Sequence, residues 1–190
     1  TFITKKGIIK KTSCSKYPFR TSVASIILNK DDELVSVLKG KDAMDIIAYT
    51  KQGNGLRFDT GTFTETNRMS RGVIGIDLAP NDEVVGIARI TNSDDQMLIL
   101  TDKGNGKRCT LDTFAKSDRR GQVLKLISLG KGEHLAFVIG CNDFCEFRVL
   151  LKTDIFDVSA DEFPELTRNH PGKKVIPVRK GDTIIKVVRK

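Results

Sequence analysis

Apolar residues in this chain come in short bursts rather than in helical rows. Ile46-Ile47-Ala48-Tyr49-Thr50, Val84–Ile90, Leu98-Ile99-Leu100-Thr101 and Val149-Leu150-Leu151 are each bounded by Gly, Asn, Asp or Pro within a few residues. Bursts of that length, rich in β-branched side chains, predict strands, and no stretch carries a long 3.6-residue period. Ile46–Thr50 runs into Gln52-Gly53-Asn54-Gly55, where glycine supplies the positive φ of a tight hairpin, and Leu56–Asp59 returns from it. The polar stretch 60–72 holds one helical turn around Phe63. Val73–Leu78 and Val84–Ile90 are then expected to form a second hairpin across Pro80-Asn81-Asp82.

This pattern recurs. Leu98–Cys109 repeats Ile46–Phe58 as apolar strand, Thr101-Asp102-Lys103-Gly104 turn and Asn105-Gly106-Lys107-Arg108 return. Phe2–Lys11 opens the chain in the same way, and Arg148–Val158 is a worn fourth copy. An aromatic follows each first hairpin at Phe19, Phe63, Phe114 and Phe163. The turns before each closing strand start at Asp32, Asp82, Gly132 and Gly181, spaced by 50, 50 and 49 residues. Short strands repeated at this period are the signature of propeller blades, and the missing long helix disfavours a helical solenoid. The expected fold is therefore all-β, one repeat domain over 1–190 of about four four-stranded blades at 1–43, 44–95, 96–145 and 146–190.

Charge narrows the partner. The chain has 32 Lys and Arg against 24 Asp and Glu, a formal net charge of +8, which favours an anionic partner such as nucleic acid. The surplus is uneven: segments 1–43, 96–145 and 146–190 net +5, +3 and +3, whereas 44–95 nets −3. A duplex held on such a surface would be gripped at the first and third blades and weakly at the second. With six per cent aromatics and no Trp, base stacking on a single strand fits poorly.

Candidate chemistry is sparse. Cys14, Cys109, Cys141 and Cys145 are scattered and only His134 and His170 could join them, so reduced thiols are expected rather than a metal centre. Gly104-Asn105-Gly106-Lys107 lacks the spacing and the following Ser/Thr of a phosphate loop and reads as a hairpin turn. Asp31-Asp32-Glu33 and Asp94-Asp95 read as solvated turn residues, and Tyr17 and Tyr49 as packing residues. No cofactor, catalytic constellation or membrane span is expected. The start at Thr1, without Met or an apolar leader, suggests a chain cut from a longer one and carrying no signal peptide.

Thr50-Lys51-Gln52-Gly53, Thr101–Arg108 and Thr4-Lys5-Lys6-Gly7-Ile8-Ile9-Lys10-Lys11-Thr12 together resemble the blade motif of a family, the C-terminal domains of bacterial type IIA topoisomerase A subunits, gyrase and topoisomerase IV alike. The resemblance implies a β-pinwheel, a hairpin-invaded propeller whose blades exchange strands, here open or incomplete because the family usually has five or six blades. It implies double-stranded DNA bent over a basic rim and passed to the ATP-dependent core. The partners would be the ATPase B subunit together with the rest of the A subunit, in the cytoplasm on the nucleoid, with the attacking tyrosine outside this chain. Gyrase members carry a basic glycine-rich heptad; Asp118-Arg119-Arg120-Gly121-Gln122-Val123-Leu124-Lys125 keeps only Arg-Arg-Gly, which favours a topoisomerase IV-like role.

Phosphate contacts are sought at equivalent blade positions, because wrapping distributes them along a curved surface. The strand after each first turn offers Lys10 and Lys11, Arg57, and Lys107 and Arg108, with Phe156 and Asp157 in the fourth copy. The long loops add Arg68 and Arg71, then Lys116, Arg119, Arg120 and Lys125, then Arg168, Lys173 and Lys174. A propeller that binds protein or peptide on its face is the rival reading.

Overall fold

In this computed structural model, residues 1–20, 22–40 and 43–190 are described. The strands are β1 (Phe2–Thr4), β2 (Ile8–Lys10), β3 (Leu34–Val37), β4 (Asp45–Thr50), β5 (Asn54–Asp59), β6 (Val73–Ile74), β7 (Val84–Ile90) and β8 (Gln96–Thr101). They continue as β9 (Asn105–Thr110), β10 (Lys116–Ser117), β11 (Leu124–Lys125), β12 (Leu135–Cys141), β13 (Glu146–Leu151), β14 (Ile155–Ser159), β15 (Lys173–Lys174) and β16 (Ile184–Arg189). Among the described residues four small sheets result: β3-β1-β2-β6, β10-β5-β4-β7 with β11 also on β5, β12-β8-β9-β15, and β14-β13-β16. The all-β, four-blade expectation holds.

The expected second hairpin does not form within one blade. Val73-Ile74 pairs with β2 of the first sheet, while Val84–Ile90 pairs with β4 of the second. The turn between them thus joins two sheets, and each of the first three sheets is completed by a short arm from the following repeat: β6 on β2, β11 on β5, β15 on β9. The blade segments read from the sequence each start a sheet, and the first three are finished by their neighbours.

Period-two alternation explains why the inner strands read as unbroken apolar runs. Ile46 and Ala48 face the first sheet, packing with Ile3, Ile9, Ile76 and Val84, while Ile47 and Tyr49 face the third, packing with Ile99, Cys109, Leu126 and Val138. Leu98 and Leu100 likewise face the fourth sheet, against Phe147, Val149 and Ile176. A strand buried on both faces has no polar face to show. Each fully buried Ile or Leu contributes roughly 1.5–3 kcal/mol, so the packing between successive sheets holds the array together. Among the described residues no helix is long and apolar enough to cross a membrane.

A 3-10 turn follows the first hairpin in every repeat: Cys14–Lys16, Thr60–Thr62, Leu111–Thr113 and Ala160–Glu162. Their C-caps are Tyr17, Phe63, Phe114 and Phe163. Tyr17, not Phe19, therefore holds the aromatic position of the first repeat, and Phe19 is fully exposed. All four cysteines are free thiols, Cys14 exposed and the others buried.

Candidate nucleic-acid interface

Each inner hairpin is tied down by a carboxylate from the turn before the closing strand. Asp31, Asn81, Gly132 and Gly181 take a left-handed φ of 57, 60, 63 and 86°, which Asp, Asn and Gly tolerate best. The next residue is acidic in all four. Asp32 accepts from the Lys6 N–H, Asp82 from the Thr50 hydroxyl (2.6 Å) and Gln52 N–H, Glu133 from the Thr101 hydroxyl and Asn105, and Asp182 from the Thr153 hydroxyl. Asp32 is buried, and the Asp94 side chain is 1% exposed, bonded to Thr91 and to Arg189 at 2.9 Å. These acids are structural caps rather than solvated turn residues. The hydrogen bonds from Thr101, Asn105 and Gly130 outweigh burial and hold the Glu133 carboxyl below its ordinary range.

The repeated basic pair after each first turn points inward. The Lys10 ammonium donates to the Ser25 and Arg68 carbonyls, and the Lys107 ammonium to the Thr167 and Arg168 carbonyls. Both residues are buried, and burial pushes both ammonium groups below the usual lysine range. At the second position, Lys11 donates to the Thr60 carbonyl with its ammonium 5.2 Å from the Phe63 ring centroid; Arg57 donates to the Leu111 and Phe114 carbonyls and pairs with Asp45 at 2.8 Å. Arg108 is buried, donating to the Phe163 carbonyl, Gln96 and Asp143. Each partner carbonyl belongs to the arm loop or the 3-10 turn packed against that hairpin. The pair is a clamp between repeats, so Lys10, Lys107 and Arg108 lie away from any solvent-facing surface, and Lys11 and Arg57 are half-buried. That corrects the sequence expectation: a basic residue recurring on the second hairpin strand meets an invading neighbour, not solvent.

The arms themselves carry the exposed charge. Arg68, Arg119 and Arg168 occupy one repeat position and lace each arm to the one before, donating to the carbonyls of Ala24, Ile74 and Lys125 at 2.8–3.0 Å. Arg119 is thereby half-buried. Arg120 is exposed but paired with Asp77 at 3.1 Å, and Lys116 with Asp45 at 3.2 Å. The exposed Lys174 donates to the Lys103 carbonyl. Arg71, Lys125 and Lys173 are exposed and make no side-chain hydrogen bond or ion pair among the described residues. The invading strands grow more basic along the chain, from Val73-Ile74 through Leu124-Lys125 to Lys173-Lys174.

Counting the segment around Ala24 as the first arm, the fourth, at β15, also borders a depression of about 370 Å³ lined by Lys103, Lys174, Arg179 and Lys180, with Asp102 and Asp182 at its edge. Arg179, Lys180 and Lys103 are exposed cations that the sequence reading did not single out. The signal for Arg179 and Lys180 was the dense basic run Lys173–Lys180, visible without the repeat alignment. Among the described residues no group of His, Cys, Asp and Glu is arranged to hold a metal ion.

The sheets with their exchanged arms coincide with a known family. A model described as the DNA gyrase C-terminal domain, beta-propeller, matches residues 2–40, 45–91, 95–142 and 158–189. The chain belongs to this gyrase C-terminal domain family. It is 31% identical over 193 residues to the A subunit of DNA gyrase from Haloquadratum walsbyi, covering 98% of this chain and 22% of that protein. It is 30% identical over 168 residues to the A subunit of DNA gyrase from Staphylococcus aureus (strain MRSA252), covering 83% of this chain and 19% of that protein. The chain thus spans about a fifth of the length of these relatives. The crystal structure of the C-terminal domain of DNA topoisomerase IV superposes with a TM-score of 0.89 at 22% identity, over 99% of this chain and 60% of that one. The structure of a DNA gyrase A C-terminal domain gives 0.88 at 23%, over 99% and 64%. At those identities the superpositions establish the shared propeller fold alone.

Proposed function

We propose that this chain is a non-catalytic accessory domain that binds double-stranded DNA along the rim formed by its arms and bends it toward the ATP-dependent strand-passage core of a type IIA topoisomerase. The observation that carries the reading is the exposed, internally unpartnered charge on successive arms, Arg71, Lys125 and Lys173, reinforced at the fourth arm by Lys174, Arg179 and Lys180. Phosphates need distributed cations on a curved surface and no base readout, and each neutralised phosphate releases counterions. The grip is graded, with the fourth arm dominant, rather than concentrated on the first and third blades, because the basic pairs of those blades hold carbonyls of their own fold. The partners that complete the enzyme, in the cytoplasm on the nucleoid, are the ATPase B subunit with the remainder of the A subunit.

Bending is favoured over chiral wrapping. The loop at Asp118–Lys125 keeps only part of the basic heptad, and its two arginines are engaged by the preceding arm through the Ile74 carbonyl and Asp77. On this reading strand cleavage belongs to the rest of the enzyme, in keeping with a Tyr49 that is 5% exposed and whose phenol burial pushes up to about 12. Titration of a duplex of some tens of base pairs at two salt concentrations tests the reading. Affinity should fall steeply with salt, with a log–log slope of about −0.9 per phosphate neutralised. Salt-insensitive or absent binding would move the assignment to a protein-binding propeller. Ligation of a nicked plasmid in the presence of the domain should leave the linking number unchanged; a clear positive shift would establish wrapping instead.

A further inference from the structure

A second set of lysines recurs at one repeat position, on the turns before the closing strands. The residue just before the left-handed one is Lys30, Pro80, Lys131 and Lys180 in the four repeats, and all four are exposed. The Lys30, Lys131 and Lys180 ammonium groups make no hydrogen bond or ion pair among the described residues. In the first three repeats the carbonyl at this position is held by a side chain from the hairpin turn beside it. Lys6 Nζ donates to Lys30 at 2.9 Å, Gln52 Nε2 to Pro80 at 3.5 Å, and Lys103 Nζ to Lys131 at 2.8 Å. Lys6 and Lys103 are exposed too, so this bond fixes their stems and leaves their charge at the surface. Two repeats thus show a lysine pair, Lys6 with Lys30 and Lys103 with Lys131, where the second shows the uncharged Gln52 and Pro80.

Strand pairing gathers these turns at one end of the sheets. Thr50 pairs with Val84 and Asp45 with Ile90, so the hairpin turn and the turn before the closing strand share an end. The 3-10 turn and the turn leading to the next sheet share the other. Neighbouring sheets keep the same sense: the Lys5 carbonyl accepts from the Val84 N–H and the Lys51 carbonyl from the Leu135 N–H at the lysine end, and the Ser93 carbonyl accepts from Asn142 at the opposite end. From the second repeat onward that opposite end is acidic. Residues 59–63, 91–95, 110–114, 142–145 and 159–163 carry seven Asp or Glu and no Lys or Arg. The lysine end, by contrast, borders the arms. Lys174 of the fourth arm donates to the Lys103 carbonyl, and Lys103 lines the same depression as Lys174, Arg179 and Lys180. Arm cations and turn cations therefore lie within a side chain's reach of each other, a separation on the scale of the roughly 6 Å minor groove, whose walls are the two strands of a duplex.

We propose that these turn lysines form a second phosphate row: the arms hold one strand of the bound duplex, and Lys6, Lys30, Lys103 and Lys131 hold the other across the minor groove. The inference rests on the duplex-binding reading above and adds to it where the DNA lies. The duplex follows the edge at which the rim meets the lysine end, and the acidic end faces away from it, because carboxylates there repel phosphate. Lysine suits the task as a compact point charge that takes a phosphate without reading a base. The row is broken at the second repeat, where Gln52 and Pro80 offer no charge.

Salt titration of duplex binding by the 190-residue chain, with a duplex of some tens of base pairs, tests it. Lys30→Glu with Lys131→Glu should shallow the log–log slope by about two and weaken binding at least tenfold. Pro80→Lys, which gives the second repeat the residue of the other three, should steepen the slope by about one and tighten binding about threefold. Asp112→Lys with Asp161→Lys adds charge at the acidic end and should leave slope and affinity as they are. All five side chains are exposed and make no internal bond, so urea midpoints close to that of the wild type separate a lost contact from a lost fold. A wild-type slope in the Lys30 and Lys131 reversal, or an acidic-end variant that gains as much as Pro80→Lys, would overturn the second row while leaving the arms in place. A wild type that binds no duplex at any salt would overturn the duplex reading itself, and the second row with it.

Discussion

The second and fourth arms do the same structural job with opposite surfaces. Val73-Ile74 and Lys173-Lys174 each add a two-residue strand to the preceding hairpin, and each is followed by an Ile that is at most 1% exposed. Inward, both arms bury an isoleucine in the core. Outward, one offers two aliphatic side chains beside a paired Asp77, the other two lysines beside Arg179 and Lys180. The comparison teaches that the repeat fixes what faces the neighbour and leaves the solvent face of each arm free to vary, so function has to be sought where the copies differ.

The basic clamp is the opposite case: Lys10 and Lys107 agree, as do Lys11, Arg57 and Arg108, because each holds carbonyls of a neighbouring loop or turn. Replacing Lys107 with Met keeps the stem but leaves the Thr167 and Arg168 carbonyls without their donor, at a cost of roughly 2–3 kcal/mol. Urea unfolding should register that loss, with DNA affinity per folded molecule little changed. An unaltered midpoint would mean the clamp is ornamental. Tyr49 sharpens the same contrast through pH. Its phenol titrates near 10 when unfolded and at about 12 when folded, so the folded state holds a proton that the unfolded state releases between those values, and stability falls as pH rises through that window. Tyr49→Phe should flatten that part of the stability curve; an identical decline would place the loss elsewhere. A smaller effect is expected at Asp77→Ala, which frees the Arg120 guanidinium on the rim and should raise duplex affinity about twofold at low salt, in line with the modest worth of an exposed pair. Weaker binding by this variant would show that the ion pair itself shapes the interface.

Much of the fold was legible because its turns demand particular residues. Gly7, Gly53 and Gly104 adopt φ of about 80° at the hairpin turns, and the 49–50-residue spacing of the turns before the closing strands survives even in the worn fourth copy. Strand exchange was not legible from pattern alone, since a run such as Val73–Leu78 looks the same whether it pairs with its own repeat or with its neighbour. Phe19 lies two residues from the aromatic position that Tyr17 occupies, a displacement that spacing alone does not resolve. The basic pairs misled for a related reason: Lys10 and Lys107 fall where a one-sided hairpin would show them to solvent, and only the invading loop, tens of residues downstream, turns them inward. The exposed cluster around Lys173, Lys174, Arg179 and Lys180 was partly visible as a charge run.

The most direct test of the account compares the salt dependence of duplex binding for the wild type, Lys173→Glu with Lys174→Glu, and Arg71→Glu. A rim dominated by the fourth arm predicts that the double reversal shallows the log–log slope by about two and lowers affinity at least tenfold, while Arg71→Glu shallows it by no more than about one. Equal slopes for all three proteins would contradict it, because DNA would then be held somewhere other than on the arms.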